Sequence, residues 1–216
     1  GREGLFINMQ ALSVRLFGNV PWALRVVSAL FGTLTILGVY LLTKELFKKN
    51  RESGISQPSA DSERNRNQEK LIYNSKIIIH NSGLVALLSS FFLAANYWHV
   101  NFSRIGFRAI SVPFFATFGL YFLLKGLRLG KISDLAFAGI FIGLGFHTYI
   151  AFRFIPLVIA IPLIWYLWKW YQSKIKSCIP CSAILFLFIT FVIALPMGYY
   201  FLNHPEDFLG RSSQVS

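Results

Sequence analysis

Six stretches of the chain carry no Asp, Glu, Lys or Arg: 26–43, 77–100, 109–124, 135–152, 154–168 and 177–203. Most approach or exceed the roughly 20 residues a helix needs to cross a bilayer core. The third and fifth are short, but Lys125, Lys169 and their aromatic ends can snorkel to the interface and extend them. The pattern predicts six transmembrane helices. Ahead of them lies "GREGLFINMQALSVRLFGNVPWALR", where Leu5, Met9, Leu12 and Leu16 recur at helical spacing with Asn8, Ser13 and Arg15 between. This pattern predicts an amphipathic helix lying in a membrane interface. Gly18 suits its end, and Pro21 suits the first turn of the next helix.

Composition supports that reading. Of 216 residues, 55% are hydrophobic and 14% charged, against about a quarter charged in soluble domains. Too little polar surface is left to coat a bundle in water. The expected fold is all-α: a polytopic membrane protein of one domain, residues 1–216. It comprises an outer amphipathic segment (1–21), about six spanning helices, a flexible cytoplasmic loop (48–76) and the start of an outer loop (203–216). The chain opens on Gly1 without a signal-peptide pattern and closes on the polar "GRSSQVS", so it reads as a fragment. "CIPC", Cys178 to Cys181, has no second pair to complete a zinc site and reads as two reduced thiols at a helix end.

Charge sets the orientation. Alternating the loops puts all ten lysines on one side, with Arg51, Arg64, Arg66 and Arg128: fourteen of the 21 cations. That side is expected to be cytoplasmic. The net charge of +12 then reports topology and attraction to anionic lipid, with no nucleic-acid partner implied. The other side carries seven cations, all arginine: Arg2, Arg15, Arg25, Arg104, Arg108, Arg153 and Arg211. A topology rule does not separate arginine from lysine. An oxyanion site does, because the planar guanidinium donates two parallel hydrogen bonds to phosphate. Snorkelling to lipid phosphates is the plainer account of any single arginine.

Two outer segments concentrate the candidates. In "YWHVNFSRIGFRAISVP", Tyr97 and Trp98 suit an interfacial aromatic belt, followed by His99, Arg104 and Arg108. If 103–109 is helical, Arg104 and Arg108 stand i,i+4 on one face, an arrangement an anion would relieve. In "GFHTYIAFRFIP", a short turn brings His147, Tyr149 and Arg153 to where two helices meet. His147 serves equally well as a bundle hydrogen-bonder or as a ligand contact at a cavity mouth. Gly139, Gly143 and Gly145 suit close helix packing. The tail "NHPEDFLGRSSQVS" is polar. Asn101-Phe-Ser103 matches a glycosylation sequon, but it lies against the membrane.

With these residues in view, "REGLFINMQALSVRLFGNVPWALRVVSALFGTLTILGVYLLTKELF", "WHVNFSRIGFRAISVPFF" and "GLGFHTYIAFRF" resemble segments of GT-C superfamily membrane glycosyltransferases. The similar branch is that of bacterial relatives of protein O-mannosyltransferases and aminoarabinose transferases, glycosyltransferase families 39 and 83. The resemblance covers nearly the whole chain, most specifically in "SRIGFRA" and "HTYIAFR". It implies a sugar donor carried on a polyprenyl phosphate and a glycan, lipid or protein acceptor. Transfer takes place at the outer face of an inner membrane of prokaryotic type, with inversion at the anomeric carbon. It also implies an aspartate base in the first outer loop, expected upstream of Gly1, and cationic side chains, sometimes with a divalent metal, holding the leaving phosphate. On this pattern Arg104, Arg108 and Arg153 form the phosphate cradle, with His147 and Tyr149 as supporting donors. Glu3 loosely matches a glutamate near the metal or phosphate. The stretch "RAISVP" lacks the acid that relatives often carry there.

Two other classes compete. A multi-spanning transporter or flippase would want ionisable groups at mid-membrane, and the six apolar runs hold no Asp, Glu, Lys or Arg. A non-catalytic membrane scaffold would use the arginines only as anchors. The convergence of Arg104, Arg108, Arg153 and His147 on one outer cavity is the structural expectation of the glycosyltransferase reading.

Overall fold

Val20 is extended, and Pro21 begins a 26-residue apolar helix whose last turn holds Lys44. The missing N–H of a proline costs nothing in a first turn, and a cation suits the last. The structure, a computed structural model, describes residues 4–47, 82–173 and 179–203. In chain order the helices are α1 (Gly4–Phe17), α2 (Pro21–Leu46), α3 (Ser82–Ala95), α4 (Tyr97–Ile105), α5 (Ser111–Leu129), α6 (Ile132–Gly145), α7 (Ile155–Ser173) and α8 (Ile179–Asn203). Single 3-10 segments, Arg108–Ile110 and Ile150–Phe154, precede α5 and α7. No strand occurs among the described residues. The 48–76 loop, Cys178 and the tail beyond Asn203 lie outside them.

Helix α5 is central. It packs on α2 and α6, and α6 in turn packs on α8. Phenylalanines fill the centre: Phe114 meets Phe31 edge-on at 4.9 Å, and Phe118 and Phe122 stack on Phe141 at 5.4 and 5.6 Å. Glycines set the spacing. A Cβ on Gly119 would land 2.3 Å from Ile142 Cδ1, and one on Gly143 2.7 Å from Ile193 Cβ. Gly139 meets Ile189 and the Phe186 carbonyl in the same way, and Gly145 meets the Phe152 ring, so these glycines of α6 do serve close packing, the first two against α8.

The outer surface is apolar. Phe91, Phe92 and Phe154 are 65%, 69% and 70% exposed, a surface that calls for lipid contact. Three helical segments are long and apolar enough to cross a membrane: Pro21–Leu46, Arg108–Leu129 and Ala183–Tyr200. Ser82–Ala95 and Tyr97–Ile105 together make a fourth, bent by 57°. Ile132–Gly145 and Ile150–Tyr166 are apolar but shorter. The chain is therefore an all-helical integral membrane protein with three spans, or four with the bent pair, among the described residues.

Two expectations are corrected here. The 77–100 run is not one continuous helix. Asn96 is extended, and its side chain accepts from the Trp98 and His99 amides at 2.9 and 3.3 Å, starting a new helix at Tyr97. Asparagine caps helices in this way when its oxygen satisfies first-turn donors. The helix runs on through Ile105, into the segment read from sequence as an outer loop. Arg104 and Arg108 also do not share one helix. Gly106 is left-handed (φ 83°) and ends α4 after Ile105, and Arg108 opens a separate 3-10 turn.

Hydrogen bonds across helices fix which ends lie together. At one end, Ser13 of α1 donates to the Ala23 carbonyl (2.6 Å), and Gln10 donates to that of Leu24 (3.2 Å). At the same end, Ser28 of α2 donates to the Ser103 carbonyl of α4 (2.8 Å). His99 is buried there, with Nε2 donating to the Gly32 carbonyl (3.0 Å). At the opposite end, Lys125 pairs with Asp134 at 2.9 Å, and Arg128 pairs with Glu45. The Tyr166 hydroxyl donates to the Leu127 carbonyl beside them.

Candidate functional site

The first end gathers the arginines. It holds Arg15, Arg25, Arg104, Arg108 and Arg153. Among the described residues the acids are Glu45 and Asp134, both at the far end and both ion-paired. The described lysines, Lys44, Lys125, Lys131 and Lys169, also lie in segments at the far end. The lysine–arginine division read from sequence is thus a division between the two ends of the bundle.

Within the arginine end, two places carry chemistry. The first is a platform. The Arg108 guanidinium sits over the Tyr149 ring, 5.9 Å from its centroid, and Phe107 meets the same ring at 6.3 Å. This ties the α4–α5 junction to the turn after α6. Cation–π attraction holds a guanidinium over an aromatic face, and planar guanidinium N–H groups suit oxyanions. Arg153 follows in the 3-10 turn that Tyr149 introduces, half-buried. Arg104 is exposed on the last turn of α4.

The second place is a cavity of about 480 Å³ among the first turns of α1, the end of α6 and the part of α8 from Ile193 to Tyr200. Its polar lining comes from Asn8, His147 and Tyr200. His147 is held by Nε2, which donates to the Ile193 carbonyl at 2.7 Å; a carbonyl only accepts, so this nitrogen carries the hydrogen.

The expected site residues fall as follows. Arg108 and Tyr149 come together. His147 faces the cavity, which none of the three arginines lines, and His147 and Tyr149 are two positions apart in one turn. His99 serves the α2–α4 contact. Glu3 lies outside the described residues. Among the described residues no three His, Cys, Asp or Glu side chains gather to hold a metal ion. Asn8 and Tyr200 did not stand out in sequence: Asn8 read as the polar side of an interfacial helix, and Tyr200 as one apolar residue in a long run.

A second, wholly greasy cavity of about 450 Å³ lies between α1 and the α2–α5 face, bounded by Leu12, Leu16, Leu30 and Phe114.

Residues 5–55 match the family model for dolichyl-phosphate-mannose-protein mannosyltransferase, a span that includes nearly all of α1 and the whole of α2. No curated protein and no solved structure matches the chain. The match, with the apolar helices, supports a membrane glycosyltransferase of the GT-C superfamily.

Proposed function

We propose that this chain forms part of a membrane glycosyltransferase that moves a sugar from a polyprenyl-phosphate donor to an acceptor at the extracytoplasmic face of a prokaryotic inner membrane. The arginine end is the outer face, the lysine end is cytoplasmic, and α6 and α7 complete a set of six passages. Arg108, Arg153 and Arg104 hold the donor phosphate. Tyr149 orients Arg108, and His147, two positions before Tyr149, is a supporting contact for the donor.

The chemistry follows from charge. In an inverting transfer the acceptor hydroxyl attacks the anomeric carbon and the bond to the phosphate oxygen breaks. The acceptor proton passes to a carboxylate base that is not among the described residues at this end. Negative charge grows on the leaving phosphate, and fixed cations aimed at it lower the barrier most where water is scarce. The observation that carries the reading is the placement of Arg108 on Tyr149 at an end whose described charges are all arginine.

The test uses the full-length protein in lipid vesicles with polyprenyl phosphate carrying radiolabelled mannose. Transfer of label to an acceptor fraction with release of polyprenyl phosphate is expected. Movement of the intact donor across the bilayer without cleavage overturns the reading in favour of a flippase.

A further inference from the structure

Arg108 reaches Tyr149 across a turn that is held on both sides. On the α4 side, the Ser103 carbonyl accepts from Ser28 at 2.8 Å, and His99 donates to the Gly32 carbonyl at 3.0 Å. Both bonds tie α4 to α2. On the α5 side, the Arg108 carbonyl accepts from Ser111 at 2.6 Å, and Ile110 is buried in the core. Between the two anchors stands Gly106, left-handed at φ 83°. Right-handed torsions at this residue continue α4; left-handed ones turn the chain out of it. The next two residues then arrive at one ring. Phe107 lies 6.3 Å from that of Tyr149, and the Arg108 guanidinium 5.9 Å from it. Phe107 also meets Phe102 of α4 at 5.2 Å, which carries the contact from α4 across to the turn after α6.

Space does not explain the glycine. A Cβ at position 106 would lie 3.7 Å from the Leu24 carbonyl oxygen and 3.8 Å from Gln10 Nε2, ordinary contact distances. A methyl group fits there, beside the bond from Gln10 of α1 to α2. Backbone torsion does explain it. A Cβ disfavours the left-handed conformation by about 5- to 30-fold. Among residues with a side chain, asparagine is one of the few that visit it readily. The two accounts order the substitutions oppositely. A packing role makes the larger asparagine the worse replacement, and a torsional role makes it the better one.

We infer that Gly106 is a positioning residue for the donor-binding cation: its left-handed turn aims Arg108 at the Tyr149 ring. The effect on binding rests on the phosphate reading above, and the geometry is tested apart from it. The full-length protein in nanodiscs carries a fluorotyrosine in place of Tyr149 as a magnetic-resonance probe, and bare polyprenyl phosphate is the ligand. Arg108→Gln removes the guanidinium and shifts the fluorine resonance. Gly106→Ala is expected to shift it too, and to weaken polyprenyl phosphate by about 5- to 30-fold, as molecules that lose the turn drop out of the binding-competent population. Gly106→Asn is expected to recover most of both. With Arg108 already replaced by Gln, adding Gly106→Ala is expected to change affinity by less than about twofold, because the glycine acts through the arginine. The inference is overturned if the resonance stays put in either Arg108→Gln or Gly106→Ala, or if Gly106→Asn is as damaging as Gly106→Ala. It is also overturned if Gly106→Ala spares an affinity that Arg108→Gln lowers, or costs as much in the Arg108→Gln chain as in the wild type. If the resonance responds as expected and neither substitution alters lipid affinity, the phosphate reading fails and the positioning role stands.

Discussion

His147 donates from Nε2 to the carbonyl of Ile193 at 2.7 Å, one turn before Pro196 in α8. The bond joins the end of α6 to α8. Replacing His147 with Phe keeps a ring of similar shape and removes this hydrogen bond. The cost expected is about 0.5–1.5 kcal/mol, read as a lower unfolding midpoint in detergent. His147→Gln, whose amide can donate, is expected to recover part of it.

Gly143 sits directly beneath this bond. A methyl there would lie 2.7 Å from Ile193 Cβ and 3.3 Å from the Thr190 carbonyl. A branched Cβ and a backbone oxygen cannot swing aside, so Gly143→Ala is expected to push α8 away at about 1–3 kcal/mol. Pairing Gly143→Ala with Ile193→Gly, which removes the clashing side chain, is expected to restore part of the stability. Thermal melts check the pairing.

At the far end, Arg128 and Glu45 form an ion pair, with side chains 17% and 8% exposed, beside Lys125 and Asp134. Removing one member of such a buried pair strands the other charge and costs about 3–5 kcal/mol. Glu45→Leu or Arg128→Met alone is expected to lower the melting temperature strongly, and the double substitution is expected to recover most of the loss. Per folded molecule, donor binding at the opposite end is expected to stay unchanged in all three.

The sequence exposes the features that composition and periodicity record. Apolar runs gave the all-helical membrane fold, and Gly18 with Pro21 gave the α1–α2 turn. The split of lysine from arginine is visible as soon as the loops are alternated. Features that depend on single contacts were hidden. Asn96 interrupts an apolar run without a charge to announce it, and only its accepted hydrogen bonds at 2.9 and 3.3 Å reveal a cap. Gly106 separates Arg104 from Arg108 through its backbone angle, which "SRIGFRA" does not spell out. Ser13 read as a polar position of an interfacial helix, whereas it bonds the Ala23 carbonyl of α2, beside the bond from Gln10 to that of Leu24. The Glu45–Arg128 pair joins residues far apart in the chain, and nothing local signals it.

Tyr149 supports Arg108 through its ring. Its hydroxyl has no part in that contact. Tyr149→Phe is therefore expected to bind donor as the wild type does. Tyr149→Leu is expected to lose about 0.5–2 kcal/mol, a drop of at most about 30-fold in donor affinity. Competition binding with bare polyprenyl phosphate separates the two variants.

The central claim is that guanidinium groups at the arginine end bind the donor's phosphate, and the double substitution Arg108→Gln with Arg153→Gln tests it most directly. Measured on the full-length protein in nanodiscs, the affinity for polyprenyl phosphate is expected to fall by about 10- to 100-fold or more, as loss of two charge-assisted contacts requires. Turnover is expected to fall further, because charge on the phosphate grows in the transition state. An unchanged affinity and an unchanged turnover in a folded double variant would contradict the account.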